Sequence, residues 1–180
     1  MSNHLLALGD FTGDQLRALI DRALELKAES RAGVRHRQLE GRRICLLFEK
    51  PSTRTRVSFE AAMYGLGGQV IFMNAKESQL GRGEPLKDTA RVLSRYVDGI
   101  VVRTFGQEVV EELARYATVP VINALTDLHH PCQILSDLMT VIEKKGTLDE
   151  LKTVWIGDGN NMAYSWIEAA AVLGIPLILA

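Results

Sequence analysis

Short apolar runs alternate with longer stretches of helical period along most of this chain. The runs are ICLLF (44–48), QVIFM (69–73), GIVVRTF (99–105), PVINAL (120–125), TVWIG (153–157) and IPLILA (175–180). Each is too short for a helix and rich in β-branched or large apolar residues, so each predicts a strand. Helices are predicted after ICLLF to about Leu66, then over 85–97, 107–117, 133–145 and 161–173. A further helix precedes the first strand. Thr12 and Gln15 have the spacing of a capping box there, and Phe11 and Leu16 that of a hydrophobic staple. Leu16, Leu19, Ile20 and Ala23 follow at helical spacing, and Gly33 can end the helix.

Most of these strands are apolar on both faces, the pattern of a parallel sheet covered by helices. The expected fold class is therefore α/β, a parallel sheet flanked by helices, with ligands gathering at the C-terminal ends of the strands. The loop NAKESQLGRGE (74–84) is long and polar, which favours a functional or interface role. The stretch EKKGTLDELK (143–152) is the one plausible domain boundary. It divides the chain into a first domain over 1–147 and a second beginning at 148, which runs strand–helix–strand to 180. IPLILA has no polar cap and is expected at a sheet edge, so 148–180 reads as the start of a truncated α/β domain.

Composition narrows the classes. A chain of 180 residues that is 47% hydrophobic can bury a core without disulfides or metal. A net charge of −1 gives no basic footprint for nucleic acid. The cysteines, Cys45 and Cys132, suit a reducing compartment better than a disulfide framework. No basic n-region precedes an apolar stretch at the N-terminus, and no run reaches the roughly 18 apolar residues of a membrane span. These features predict a soluble, cytoplasmic protein.

The chemistry concentrates in FEKPSTRTRVSFE (48–60). Ser52, Thr53, Arg54, Thr55 and Arg56 follow a proline, between a strand and a helix. The first N–H groups of a helix lack internal partners and the dipole there favours negative charge. Hydroxyls and guanidinium groups at such a turn make a site for phosphate or carboxylate. The plainer alternative is that Ser52 or Thr53 merely caps the helix and the arginines are solvated. Two further strand ends favour the anion site: Arg103 ends GIVVR, and HHPCQ (129–133) follows PVINAL. Donors at successive strand ends suit a small, oxygen-rich anion, and a carbonyl polarised by His and Arg beside a held phosphate suits acyl-type transfer.

Other readings are weaker. WIGDGNN (155–161) opens like a dinucleotide-binding turn, but Met162 stands where the third glycine would be. The adjacent His129 and His130 have no Cys or acidic partner at ligand spacing, so no metal is expected. Asp127 is expected as a turn or cap group.

STRTR, then HPCQ, then WIGDGNN together resemble the carbamoyltransferase family. FEKPSTRTRVSFEAA, QLGRGEPLKDTARVLSRYVD and WIGDGNN resemble its ornithine branch more than its aspartate branch, and the likeness spans essentially the whole chain. The resemblance implies that carbamoyl phosphate binds first, its phosphate held by Ser52, Thr53, Arg54 and Thr55. Arg103 would bridge phosphate and carbonyl oxygen, and His130 and Gln133 would hold the carbamoyl group. Thr55, Arg103 and His130 would be the catalytic residues, stabilising the oxyanion as the δ-amine of ornithine attacks to give citrulline. Gln79 would reach the site of a neighbouring subunit in a trimer or multiple of trimers, and Asn161 would contact ornithine. No cofactor is implied.

The family's second domain also carries an Asp-plus-SMG loop, a Cys-Leu-Pro motif after a His, a late arginine and a returning C-terminal helix. None occurs in these 180 residues, so a fragment with an incomplete active site is expected. The open alternatives are a non-catalytic anion-binding or oligomerisation domain, or a carbamoyltransferase for acetylornithine, putrescine or aspartate.

Overall fold

A computed structural model describes residues 4–149 and 151–180; the first three residues and Glu150 of the expected linker lie outside the described residues. The chain forms two compact units. One comprises residues 4–6 with Arg35–Asp127, the other Ala7–Val34 with Leu128–Ala180.

The first unit holds β1 (Arg43–Phe48), α2 (Thr53–Gly65), β2 (Gln69–Asn74), α3 (Leu86–Leu93), β3 (Gly99–Arg103), α4 (Gln107–Tyr116) and β4 (Val121–Leu125). Its strands are parallel in the order β2-β1-β3-β4. Alternation along β1 and β3 builds a core on each face, as the strand period of two requires. Cys45, Leu47, Ile100 and Val102 join Val110 and Leu113 of α4 on one side. Leu46, Phe48 and Val101 join Ala124 on the other, with Phe59 of α2 packed against them.

The edges depart from that plan. β2 is a side strand, and Ile71 (44%) and Phe72 (36%) keep an exposure that separates it from β1 and β3, most of whose residues are buried. The opposite edge, β4, is blunted by the N-terminal segment. Leu5 donates to the carbonyl of Val121 at 2.9 Å and accepts from the N–H of Asn123 at 2.8 Å, closing backbone groups that an edge would leave open.

The second unit holds α1 (Gly13–Arg31), α5 (Pro131–Lys145), β5 (Thr153–Trp155), α6 (Asn161–Leu173) and β6 (Leu177–Leu179). The capping box is present. Thr12 Oγ1 accepts from the Gln15 N–H at 3.3 Å, and Gln15 Oε1 accepts from the Thr12 N–H at 2.8 Å. A Cβ at Gly13 would lie 3.0 Å from the Val172 carbonyl, so α1 starts hard against the end of α6 and a larger residue would force them apart. Leu16 and Ile20 of α1, Ile134 and Leu138 of α5, and Ala169 and Ala170 of α6 are buried. β5 and β6 pair in parallel over three residues each. Both TVWIG and IPLILA therefore give shorter strands than their apolar runs predict. No helix among the described residues is long and apolar enough to cross a membrane.

Candidate anion-binding site

β1 ends at Phe48 and α2 begins at Thr53. Pro51 fixes its own φ and biases Lys50 toward extended backbone, so the chain enters the helix with little freedom. Ser52 is the N-cap, with extended backbone, and its Oγ accepts from the Thr55 N–H at 3.3 Å. The same hydroxyl donates to Thr55 Oγ1 at 2.9 Å. Ser52 thus takes up the third N–H of the helix. The N–H groups of Thr53 and Arg54, in the first turn, have no intrahelical acceptor.

Arg103, the last residue of β3, pairs with Phe48 in the ladder and so ends level with the turn. Its Nη1 donates to Thr55 Oγ1 at 3.3 Å. Its Nε is buried and finds no hydrogen-bond partner among the described residues. Burial pulls this guanidinium below its ordinary value, the response of a cation that has lost water without gaining a counter-charge. The Thr55 hydroxyl receives two donors from the protein, so its own proton is free to point to a ligand. Thr53 and Arg54 are exposed at the same turn. The arrangement offers a cation, two hydroxyls and open helix N–H groups to one small anion.

Ser52, Thr55 and Arg103 are brought together by direct hydrogen bonds, and Thr53 and Arg54 share their turn. Arg56 turns elsewhere: its Nε donates to Glu60 at 2.8 Å and its guanidinium lies 3.8 Å from the Phe72 ring centre, tying α2 to β2. Gln79 is exposed in the loop 74–84, which is more ordered than its polarity suggests. Short 3-10 turns at Ala75–Glu77 and Leu80–Arg82 shape it, and Gly81 approaches the Lys76 carbonyl so closely that a Cβ would sit 2.5 Å from that oxygen. A cavity of about 250 Å³ lies beside it, lined among others by Leu47, Glu49, Glu84, Val102, Arg103 and Thr104.

His130, Gln133 and Asn161 belong to the second unit. His130 is the residue before α5, with Pro131 in the first helical position, where its missing N–H costs nothing. The His130 N–H donates to the buried Ser165 Oγ at 2.8 Å. Gln133 is exposed and its Nε2 donates to Asp137 at 2.9 Å. His129 Nδ1 lies 3.4 Å from Glu168 Oε2, which also accepts from the Leu8 N–H at 3.1 Å. Asn161 is the first residue of α6, and Asn160 before it caps that helix by accepting from the N–H groups of Met162 and Ala163 at 2.9 and 3.3 Å. The turn WIGDGNN therefore spends two of its helix donors on its own side chain.

Several supporting residues carry no sequence signal. Thr104, buried after β3, donates a short hydrogen bond to Glu49. Lys50 pairs with Asp127 and lies 4.1 Å from the Phe105 ring centre. Ser165 reaches His130 across a sequence gap no periodicity marks. Cys45 is buried in β1, where desolvation pushes its thiol up to about 11. Among the described residues no group of three or more His, Cys, Asp or Glu side chains is placed to hold a metal ion.

Residues 3–143 match the model of the aspartate/ornithine carbamoyltransferase, carbamoyl-P binding domain. The chain is 73% identical over 180 residues to an ornithine carbamoyltransferase of Desulfotalea psychrophila, covering 100% of this chain and 59% of that protein. It is 59% identical over 180 residues to one of Geobacter sulfurreducens, again covering 100% of this chain and 59% of the relative. Among solved structures it is similar to ornithine carbamoyltransferase from Pyrococcus furiosus, with TM-score 0.96, 50% identity, and coverage of 99% of this chain and 57% of that one. It is also similar to aspartate transcarbamoylase from Trypanosoma cruzi in complex with aspartate and phosphate, with TM-score 0.89, 31% identity, and coverage of 99% and 59%. The chain thus spans about three fifths of the length of the curated relatives it matches.

Proposed function

Because this chain belongs to the aspartate/ornithine carbamoyltransferase family, we propose that it is the carbamoyl-phosphate-binding part of an ornithine carbamoyltransferase. The observation that carries the reading is Arg103, a partly desolvated cation with an unpartnered Nε, hydrogen-bonded to Thr55 at the open first turn of α2. An anion there would restore to the guanidinium what burial removed. The higher identity to the ornithine enzyme of known structure than to the aspartate enzyme supports ornithine as the amine.

On this reading Ser52, Thr53, Arg54 and Thr55 take the phosphate, and Arg103 spans phosphate and carbonyl oxygen. The δ-amine nitrogen of ornithine attacks the carbonyl carbon, and the electron pair of the carbonyl moves onto its oxygen. Preorganised donors would stabilise that oxyanion. The pair on that oxygen then returns to re-form the carbonyl as the bond from carbon to the phosphate oxygen breaks, phosphate departs with the electrons of the broken bond, and the amine's proton passes to the departing phosphate to leave citrulline. The roles of Thr55, Arg103 and His130 in stabilising the oxyanion, and of Gln133 in holding the carbamoyl group, are part of the same proposal. So are Gln79 as a residue offered to a neighbouring subunit, a trimer or multiple of trimers, and a cytoplasmic location. Residues 148–180 open the ornithine-binding domain on this reading, with Asn161 toward the amino acid.

Isothermal titration with carbamoyl phosphate and with inorganic phosphate tests the proposal. Saturable binding of both, tighter for carbamoyl phosphate, is expected. Binding of neither by folded protein would overturn it. Adding ornithine and assaying citrulline tests turnover separately, since positioning the amine is a large part of the rate.

A further inference from the structure

The C-terminal rim of the first unit is stitched together beyond its strands. The Glu49 N–H donates to the Arg103 carbonyl at 2.8 Å, the Thr104 N–H to the Leu125 carbonyl at 3.0 Å, and the Asp127 N–H to the Phe105 carbonyl at 2.8 Å. These bonds carry the pairing past β1, β3 and β4 into three loops. Two side-chain contacts reinforce them: the Thr104 hydroxyl on Glu49, and Lys50 on Asp127. Lys50 is mostly buried, with a side-chain exposure of 17%, and its ammonium also caps the Phe105 ring.

Lys50 stands directly before Pro51, and Ser52 follows. Since Pro51 is conformationally fixed, holding Lys50 fixes where Ser52 and the first turn of α2 begin. Asp127 comes from the loop after β4 and Phe105 from the loop after β3, directly beyond Arg103 and Thr104. The clamp therefore sets the anion turn against the strand that supplies Arg103.

We propose that Asp127, acting through Lys50, is a positioning residue for the anion turn at Ser52–Thr55. This rests on the anion-site reading above and adds a residue of the wrong charge to touch the ligand itself. That wrong charge gives the test its sign. If Asp127 acted only through its field, removing its negative charge would tighten anion binding. If it acts by holding Lys50, removing the charge loosens the turn and weakens binding.

The experiment titrates inorganic phosphate and carbamoyl phosphate into the wild-type chain and into Asp127→Asn, Lys50→Met, Lys50→Arg and the Asp127→Asn/Lys50→Met double variant. Asp127→Asn keeps the backbone N–H that bonds Phe105, and its side chain is 66% exposed, so it is a mild change to the fold. Affinity is expected to fall about three- to fivefold in Asp127→Asn, the size appropriate to a pair with one exposed partner. Lys50→Met should fall at least as far, and the double variant no further than Lys50→Met, because residues acting as one pair are not additive. Lys50→Arg, which can still pair with Asp127 and stack on Phe105, should recover most of the loss. Affinity in Asp127→Asn at or above wild type overturns the clamp while leaving the anion site standing. Additive losses in the double variant also overturn it. Absence of binding by the wild-type chain overturns the anion-site reading and the clamp together.

Discussion

Helices α2 and α6 each follow a parallel strand through a short loop, and each has a side-chain oxygen at its N-cap. At α2 the Ser52 hydroxyl takes one N–H, that of Thr55, and then donates onward to the Thr55 hydroxyl. At α6 the Asn160 carbonyl oxygen takes two, those of Met162 and Ala163. The strand end also differs. Arg103 reaches Thr55 from β3, whereas the turn before α6 closes on itself, with Trp155 Nε1 donating to the Asp158 carbonyl at 3.2 Å. A helix N-terminus is thus not a binding site by virtue of its dipole alone. On the proposed reading it becomes one when the cap leaves donors open and a neighbouring strand delivers a cation whose own hydrogen bonds are incomplete.

The strongest break in this comparison is Arg103→Ala. Loss of the guanidinium should weaken phosphate binding by about 1.5–3 kcal/mol, the worth of a hydrogen bond to a charged group. Calorimetry would read this as a drop of one to two orders of magnitude in affinity, and an unchanged value would remove Arg103 from the site. The caps separate next. Ser52→Ala and Asn160→Ala should each cost stability of about 0.5–2 kcal/mol, read from the midpoint of denaturant unfolding, as lost N-caps do. Only Ser52→Ala should also lower phosphate affinity. Equal effects of the two variants on affinity would erase the distinction between the helices.

A smaller effect sharpens the comparison from the far end of the same sheet. Asp98, just before β3, accepts from the Arg43 N–H at 2.9 Å and from Arg42 Nη1 at 2.7 Å. Those two hydrogen bonds, the backbone one foremost, hold its carboxyl below the ordinary carboxylate value. A depressed folded value means the stabilisation is present above the unfolded pKa and fades as pH falls through the folded one. Asp98→Asn should therefore flatten the acid side of the stability profile and leave phosphate affinity alone. A change in affinity would mean that the strand ends are coupled along their length.

Much of this was legible along the chain. Strand–helix alternation identified the α/β sheet, and the bounds of α6 follow directly from its period. Thr12 and Gln15 marked the start of α1 because a capping box is local and needs no partner elsewhere. The turn at Ser52–Thr55 stood out for the same reason. What stayed hidden depends on distant partners. That Arg103 turns to Thr55, that Arg56 turns away to Phe72, and that Ser165 holds the N–H of His130 are facts of packing between segments. Asp127, read as a turn residue, pairs with Lys50 across a gap of 77 positions. Exposure at Ile71 and Phe72 was hidden too, because an edge strand and a central strand share the same apolar pattern.

Residue-resolved NMR during a phosphate titration tests the central claim most directly. In ¹⁵N-labelled protein the amides of Thr53, Arg54 and Thr55 should shift progressively and saturate with the calorimetric affinity, while those of Met162 and Ala163 stay in place. Shifts concentrated at Met162 and Ala163, or none at Thr53–Thr55 at saturating phosphate, would contradict the assignment of the anion to the opening of α2.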